Sequence, residues 1–269
     1  MLKVFSFVGK ALRNRRSYLP LVGYVTLSAL IMTLIVLSQY LRYGIFGTSL
    51  LIGWDSPGYV WVAKEVIIKG PIYMIHAWRY PHLYVQLLAF FGYLTNNVIV
   101  MERILPIIFA VLLIYTNSQI VLKITNRVYI AGLASLLTVL SVNVLRLVAD
   151  LHRNLMALSL SMIIFLIVPD LDNTQSFPKR KYLFFASLLL VISTTQFETY
   201  FILCLSLMLY GFLTKDLRKT LMLTLACAIS ALILLLLFPT YFIEYISTVI
   251  FFERQLTLHD IFLWTGSSW

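Results

Sequence analysis

Charge is what this sequence lacks most. Only 12% of its 269 residues are Asp, Glu, Lys or Arg, and 61% are hydrophobic. Soluble chains average about 25% charged and about 45–50% apolar residues. The mean hydropathy is +0.90. A chain of this length cannot hide so much apolar surface from water, which excludes an ordinary soluble domain. The apolar runs are long and do not alternate with polar residues, which excludes a membrane barrel and leaves membrane helices. Cysteine is nearly absent. Cys204 and Cys227 each sit inside an apolar run, so neither a disulfide framework nor a cysteine metal site is expected. No Asn-x-Ser/Thr glycosylation acceptor occurs. Acids are scarce too, 11 against 21 basic residues, for a net charge of +10. No zinc-type or RNA-binding pattern accompanies that excess. Positive-inside membrane topology accounts for it, and nucleic acid is not expected as a partner.

What is present is a series of apolar segments. A helix needs about 20 apolar residues to cross a hydrocarbon core of roughly 30 Å. Candidate spans are 19–41, 102–122, 128–147, 155–169, 182–195, 200–213 and 220–239. The first follows a basic stretch with Lys3, Lys10, Arg13, Arg15 and Arg16. It is longer than a secretory apolar region and is expected to stay in the membrane. The stretch 182–213 is too long for one upright crossing and has a polar middle, STTQFET, so it divides there. The stretch 128–169 divides at RLVADLHRN.

Segment 81–97 decides the topology. If it lies on the surface, 13 basic residues fall inside and 8 outside; if it crosses, the split is 9 to 12. The first arrangement obeys the positive-inside rule. It gives seven spans, a cytoplasmic N-terminus and an outer C-terminus. The expected organisation is a basic N-terminus at 1–18, a first span at 19–41, an outer loop with interfacial helices at 42–101, a six-helix bundle at 102–239 and an outer segment at 240–269. The expected class is an all-α integral protein of the cell membrane. Eight of the eleven acids and all four histidines then fall outside.

Several outer residues could carry chemistry. Asp55 precedes Ser56-Pro57, a helix start, before an interfacial helix whose Lys64 and Glu65 share one side. It either caps that helix or presents a carboxylate at the membrane surface. Arg146, Asp150 and Arg153 recur at helical spacing. They form either an ion-pair ladder or a phosphate clamp, since guanidinium forks match phosphate oxygens. Glu102-Arg103 opens a span, where charged groups commonly snorkel. Glu198 lies in the recessed turn, where a charge costs about 2.5–3.5 kcal/mol on insertion scales and so suggests a function. The Trp and Tyr residues of 54–84 read as an interfacial belt, or as stacking surfaces for a sugar.

The succession GWDSPGY, RYPHLYVQLLAFFGYL, ERILPIIFAVLLIYTNSQIVLKI and ADLHRNLMALSL resembles the GT-C superfamily of polytopic glycosyltransferases, over roughly residues 15–215. That superfamily includes protein mannosyltransferases and aminoarabinose transferases. The resemblance implies a truncated or split member that moves a sugar from a polyprenyl-phosphate donor to a glycan, protein or lipid acceptor. It makes Asp55 the catalytic base, with Asp150 as a second acid, and gives phosphate binding to Arg103, Arg146 or Arg153; Glu198 stays a catalytic candidate from its place in the recessed turn. The resemblance leaves a divalent metal open and a partner membrane subunit expected. Two rival readings stand beside it. One is a non-catalytic scaffold for a lipid-linked glycan or partner chain; the other is a transporter or flippase.

Overall fold

In the computed structural model, residues 2–42, 55–73, 82–149, 151–168, 179–214 and 217–239 are described. Among them the regular structure is helical, with no strand. The helices are α1 (Leu2–Arg42), α2 (Ser56–Lys69), α3 (Leu83–Thr95), α4 (Val98–Thr125), α5 (Val128–Leu140), α6 (Val142–Ala149), α7 (His152–Ile167), α8 (Lys179–Thr195), α9 (Phe197–Leu213) and α10 (Leu217–Leu237).

Three helical stretches are long and apolar enough to cross a membrane: Leu19–Arg42, Val98–Thr125 and Thr220–Leu237. A fourth results if α5 and α6 count as one broken span, bent by 54°. Leu83–Thr95, His152–Ile167, Leu183–Thr195 and Phe197–Leu213 are shorter apolar helices. The described residues are thus all-helical, with three to four candidate spans among them. Each expected span overlaps a helix, and the expected count of seven is not confirmed by length and composition among the described residues.

One expected span is broken. Segment 128–147 divides at Ser141, whose extended backbone (φ −66°, ψ 121°) separates α5 from α6. Ser141 and Asn143 are the polar residues there, and short polar side chains compete with helical hydrogen bonding. A groove of about 370 Å³ opens beside the break, lined in part by Leu113, Asn117, Thr138, Ser141 and Met162. The expected division at RLVADLHRN is present, between α6 and α7. So is the one at STTQFET, where Gln196 alone is extended between α8 and α9.

The core has two parts. Met32, Val60, Tyr84, Leu88, Leu105, Ile114 and Val148 belong to a cluster that draws on α1 to α7. Phe185, Ile192, Leu203, Leu207 and Leu234 belong to a second, in α8 to α10. Helix α7 serves both: Leu155 and Met156 lie in the first, Ala157 and Ile164 in the second. Small residues let α1 and α5 approach closely. A Cβ on Gly132 would collide with the Tyr24 ring, and Ser28 Oγ and Ser135 Oγ are hydrogen-bonded at 3.0 Å across the same contact.

The corner between α3 and α4 is set by its sequence. Asn96 ends α3 in the left-handed conformation (φ 54°), which Asn tolerates better than most residues. Asn97 then caps α4, accepting from the Val100 N–H at 3.1 Å. Gly92 permits the turn, because a Cβ there would meet Val98 Cγ2 at 2.7 Å.

Candidate functional site

The α3–α4 corner brings Tyr84 against Glu102. The Tyr84 hydroxyl donates to Glu102 Oε2 at 2.7 Å, and both side chains are buried. Helix α7 completes the arrangement from its first residue. His152 Nδ1 lies 2.7 Å from Glu102 Oε1, and His152 Nε2 lies 2.8 Å from the Val148 carbonyl oxygen. Glu102 is 1% exposed and His152 3%. Pro106, inside α4, has no N–H to give to the backbone carbonyl of Glu102, four residues earlier.

Helix α2 lies over this pair. Val60, Ala63 and Val66 face inward, and Tyr59 stands edge-on to Tyr84, with ring centroids 5.2 Å apart. The Tyr59 ring is also 6.1 Å from that of His152. Its hydroxyl donates to Asp55 Oδ2 at 3.1 Å. Burial pushes the Tyr59 phenol up; Arg153 opposes that shift, and Asp55 and Glu102 add to it. Asp55, Glu102 and Arg153 therefore all act on one side chain. Arg153 Nη1 and His82 Nδ1 are 3.2 Å apart. Burial, and then the Arg153 guanidinium, lower the His82 pKa to about 4, so the ring is neutral at pH 7 and accepts the guanidinium hydrogen. Arg103 lies over the Tyr40 ring, 4.7 Å from its centroid.

The expected site residues are thus distributed unevenly. Asp55 is exposed and occupies the N-cap position of α2 without a side-chain capping bond. Arg153 joins it around Tyr59, and Arg103 lies on α4 next to Glu102. Arg146 is exposed on α6. Glu198 is exposed in the first turn of α9, accepts from Gln196 Nε2, and borders the second core cluster. Asp150 lies outside the described residues. No group of three or more His, Cys, Asp or Glu that could hold a metal ion occurs among the described residues.

Sequence reasoning missed the centre of this constellation. Glu102 read as a snorkelling residue at a span's edge, and Tyr59 and Tyr84 as belt aromatics. Trp61 fits a belt, being 57% exposed, whereas Tyr84 is wholly buried. The available signal was an acid set among apolar residues in VIVMERIL, at a position where α4 is already four residues deep. Its partner stands 50 residues away, and no local pattern marks such a pairing. Comparison with protein-family models, curated proteins and solved structures finds no match to this chain.

Proposed function

We propose that this protein is a membrane glycosyltransferase that moves a sugar from a polyprenyl-phosphate donor to an acceptor hydroxyl at the outer membrane face. The observation that carries this reading is an exposed carboxylate and a guanidinium that bear on one tyrosine: Asp55 accepts from the Tyr59 hydroxyl, and Arg153 acts on the same phenol electrostatically. In the reaction the acceptor oxygen attacks the anomeric carbon, and the bond from that carbon to the phosphate oxygen breaks. Asp55 takes the hydroxyl proton. Arg153, with Arg103, receives the charge that develops on the leaving phosphate. Tyr59 orients Asp55 through its hydrogen bond. The bilayer supplies the donor, and the GT-C resemblance supports the choice of reaction.

The same reading takes the chain to cross the membrane seven times from a cytoplasmic N-terminus. Asp55, Glu102 and His152 then share the outer side. A single cysteine at Thr125, in a variant lacking Cys204 and Cys227, is expected to resist an impermeant thiol reagent added outside. Labelling there would reverse the topology.

The deciding experiment is transfer of a radiolabelled sugar from a polyprenyl phosphate by the protein in liposomes, with a membrane extract supplying acceptors. Asp55→Asn keeps the shape but removes the proton-accepting carboxylate. Transfer is expected to fall by about 10²-fold or more with little change in stability, since the Asp55 side chain makes no capping bond. Near-wild-type transfer by this variant would exclude Asp55 as the base. No transfer by the wild type, with extract present, would favour the scaffold reading.

A further inference from the structure

Glu102 and His152 take no part in the transfer just described, yet their hydrogen bonds fix a proton count. The Val148 carbonyl can only accept, so His152 Nε2 carries a hydrogen and donates it across 2.8 Å. Val148 is among the last four residues of α6, whose carbonyls have no partner within their own helix. On the other side of the ring, Nδ1 lies 2.7 Å from Glu102 Oε1. An ionised carboxylate oxygen only accepts, and so does an imidazole nitrogen without hydrogen. Two acceptors at that distance need one proton between them. A second proton is disfavoured. On Oε1 it would face an Nδ1–H, and on Oε2 it would turn the Tyr84 hydroxyl, 2.7 Å away, from donor to acceptor and strand the phenol's own hydrogen in the interior.

We propose that Glu102 and His152 form a buried binding site for a single shared proton, and that this proton fastens the α6–α7 junction to α4. Two forms satisfy the geometry. In one, a carboxylic acid donates to a neutral ring; in the other, an imidazolium donates to a carboxylate. They interconvert as the O–H bond breaks and the N–H bond forms, with no net change of charge. That suits a place poor in water, where an uncompensated charge is costly. The titratable and charged groups around the pair are Tyr84 on α3, Tyr59 on α2 with Asp55 bonded to it, Arg153 on α7 with His82 bonded to it, and Arg103 next to Glu102 on α4, lying over the Tyr40 ring of α1. Removal of the proton would set a carboxylate against a nitrogen lone pair. The first turn of α7 would then lose its hold on α4, directly beneath Tyr59. The proposal does not rest on sugar transfer, and its test uses no substrate, so the two readings fail separately.

The test reads the proton directly. Nitrogen NMR of protein with labelled histidine reports which ring nitrogens of His152 carry hydrogen. The infrared difference between wild type and Glu102→Gln reports whether Glu102 is protonated. His152 is assigned as the ring signal that moves in Glu102→Gln, or, if several move, in protein with His76, His82 and His259 replaced by glutamine. Two results are expected at neutral pH: hydrogen on Nε2 alone with a protonated carboxyl, or hydrogen on both nitrogens with an ionised carboxyl. Hydrogen on Nδ1 alone would overturn the proposal, and so would two protons or none between the groups. Glu102→Gln supplies a second measure. Its amide N–H can donate to Nδ1 while its carbonyl accepts from Tyr84, which mimics the protonated acid. It is expected to keep the wild-type melting temperature, because both bonds persist, whereas Glu102→Ala loses both. A loss in Glu102→Gln as large as that in Glu102→Ala would sink the link between the shared hydrogen and the α6–α7 junction.

Discussion

The two halves of the core use polar groups differently. In α1 to α7, many hydroxyls turn back on their own helix, but several sets of polar side chains also bond across helices. Ser28 meets Ser135, Asn117 donates to Thr138 at 2.7 Å, Ser159 donates to the Phe109 carbonyl at 2.8 Å, and Tyr84 and His152 meet at Glu102. In α8 to α10, most turn back on their own helix. Ser193, Thr194 and Thr195 donate to carbonyls of α8, and Ser206 to one of α9. Tyr200 departs from this, donating to the Cys227 carbonyl at 2.9 Å and meeting Ser230 Oγ. Lipid tails are as apolar as leucine, so helix association there rests on close packing and hydrogen bonds. Directional bonds fix register in the first half, which carries the candidate site. Shape alone does most of that in the second.

The largest expected effect comes from breaking the first half at its centre. Glu102→Ala strands the Tyr84 hydroxyl and the His152 ring in the interior. Loss of one partner from a buried pair costs about 3–5 kcal/mol, and unfolding of purified protein in mixed micelles is the measure. Glu102→Gln should cost far less. Equal losses in the two variants would mean that volume, not hydrogen bonding, matters at this position.

Acid is expected to act next, and also on the first half. An ordinary histidine has a pKa near 6.5, and that of His82 is lowered to about 4 in the fold. Above pH 6.5 the ring is neutral in both states. Between pH 6.5 and 4 the unfolded chain takes up a proton that the folded one refuses, so stability declines as pH falls and levels off below about 4. The full loss is about 3 kcal/mol. His82→Gln should flatten this slope, and a slope that persists would assign it to another group.

Gly132→Ala sharpens the contrast through packing. Its methyl would collide with the Tyr24 ring, and overpacking costs about 1–3 kcal/mol. Tyr24→Leu should recover part of the loss, which a double-mutant cycle would register. In the second half, Tyr200→Phe leaves Ser230 still donating to the Cys227 carbonyl at 2.9 Å. A loss of only about 0.5–1.5 kcal/mol is expected. A larger effect than that of Glu102→Ala would invert the comparison between the halves.

Helix positions were legible because length and hydropathy are local properties. The starts at Ser56-Pro57 and the breaks near RLVADLHRN and STTQFET follow from short polar stretches between apolar runs. The break at Ser141 was hidden inside LTVLSVNVL, where only Thr138, Ser141 and Asn143 interrupt an otherwise apolar run. Crossing number was less legible, because a helix of 13 to 17 residues reads the same whether it spans, tilts or packs inside. Of the site, Asp55 and Arg153 stood out as charges in polar surroundings. Tyr84, Glu102 and His152 did not, because their partnership depends on how α3, α4 and α7 meet, and no spacing along the chain encodes that.

The position of His152 on α7 also bears on how the chain is made. Glu102 lies 50 residues ahead of the histidine that completes it. Synthesis at about 5–20 residues per second puts roughly three to ten seconds between their appearances. For that interval α4 holds an acid whose partner is still unmade, and Leu155 and Met156 of the first cluster are unmade too. The newborn α4 therefore has reason to linger at a wet boundary, with Glu102 solvated or protonated, until α7 emerges. A protein whose site closes late in synthesis exposes its costliest side chain to the insertion machinery first.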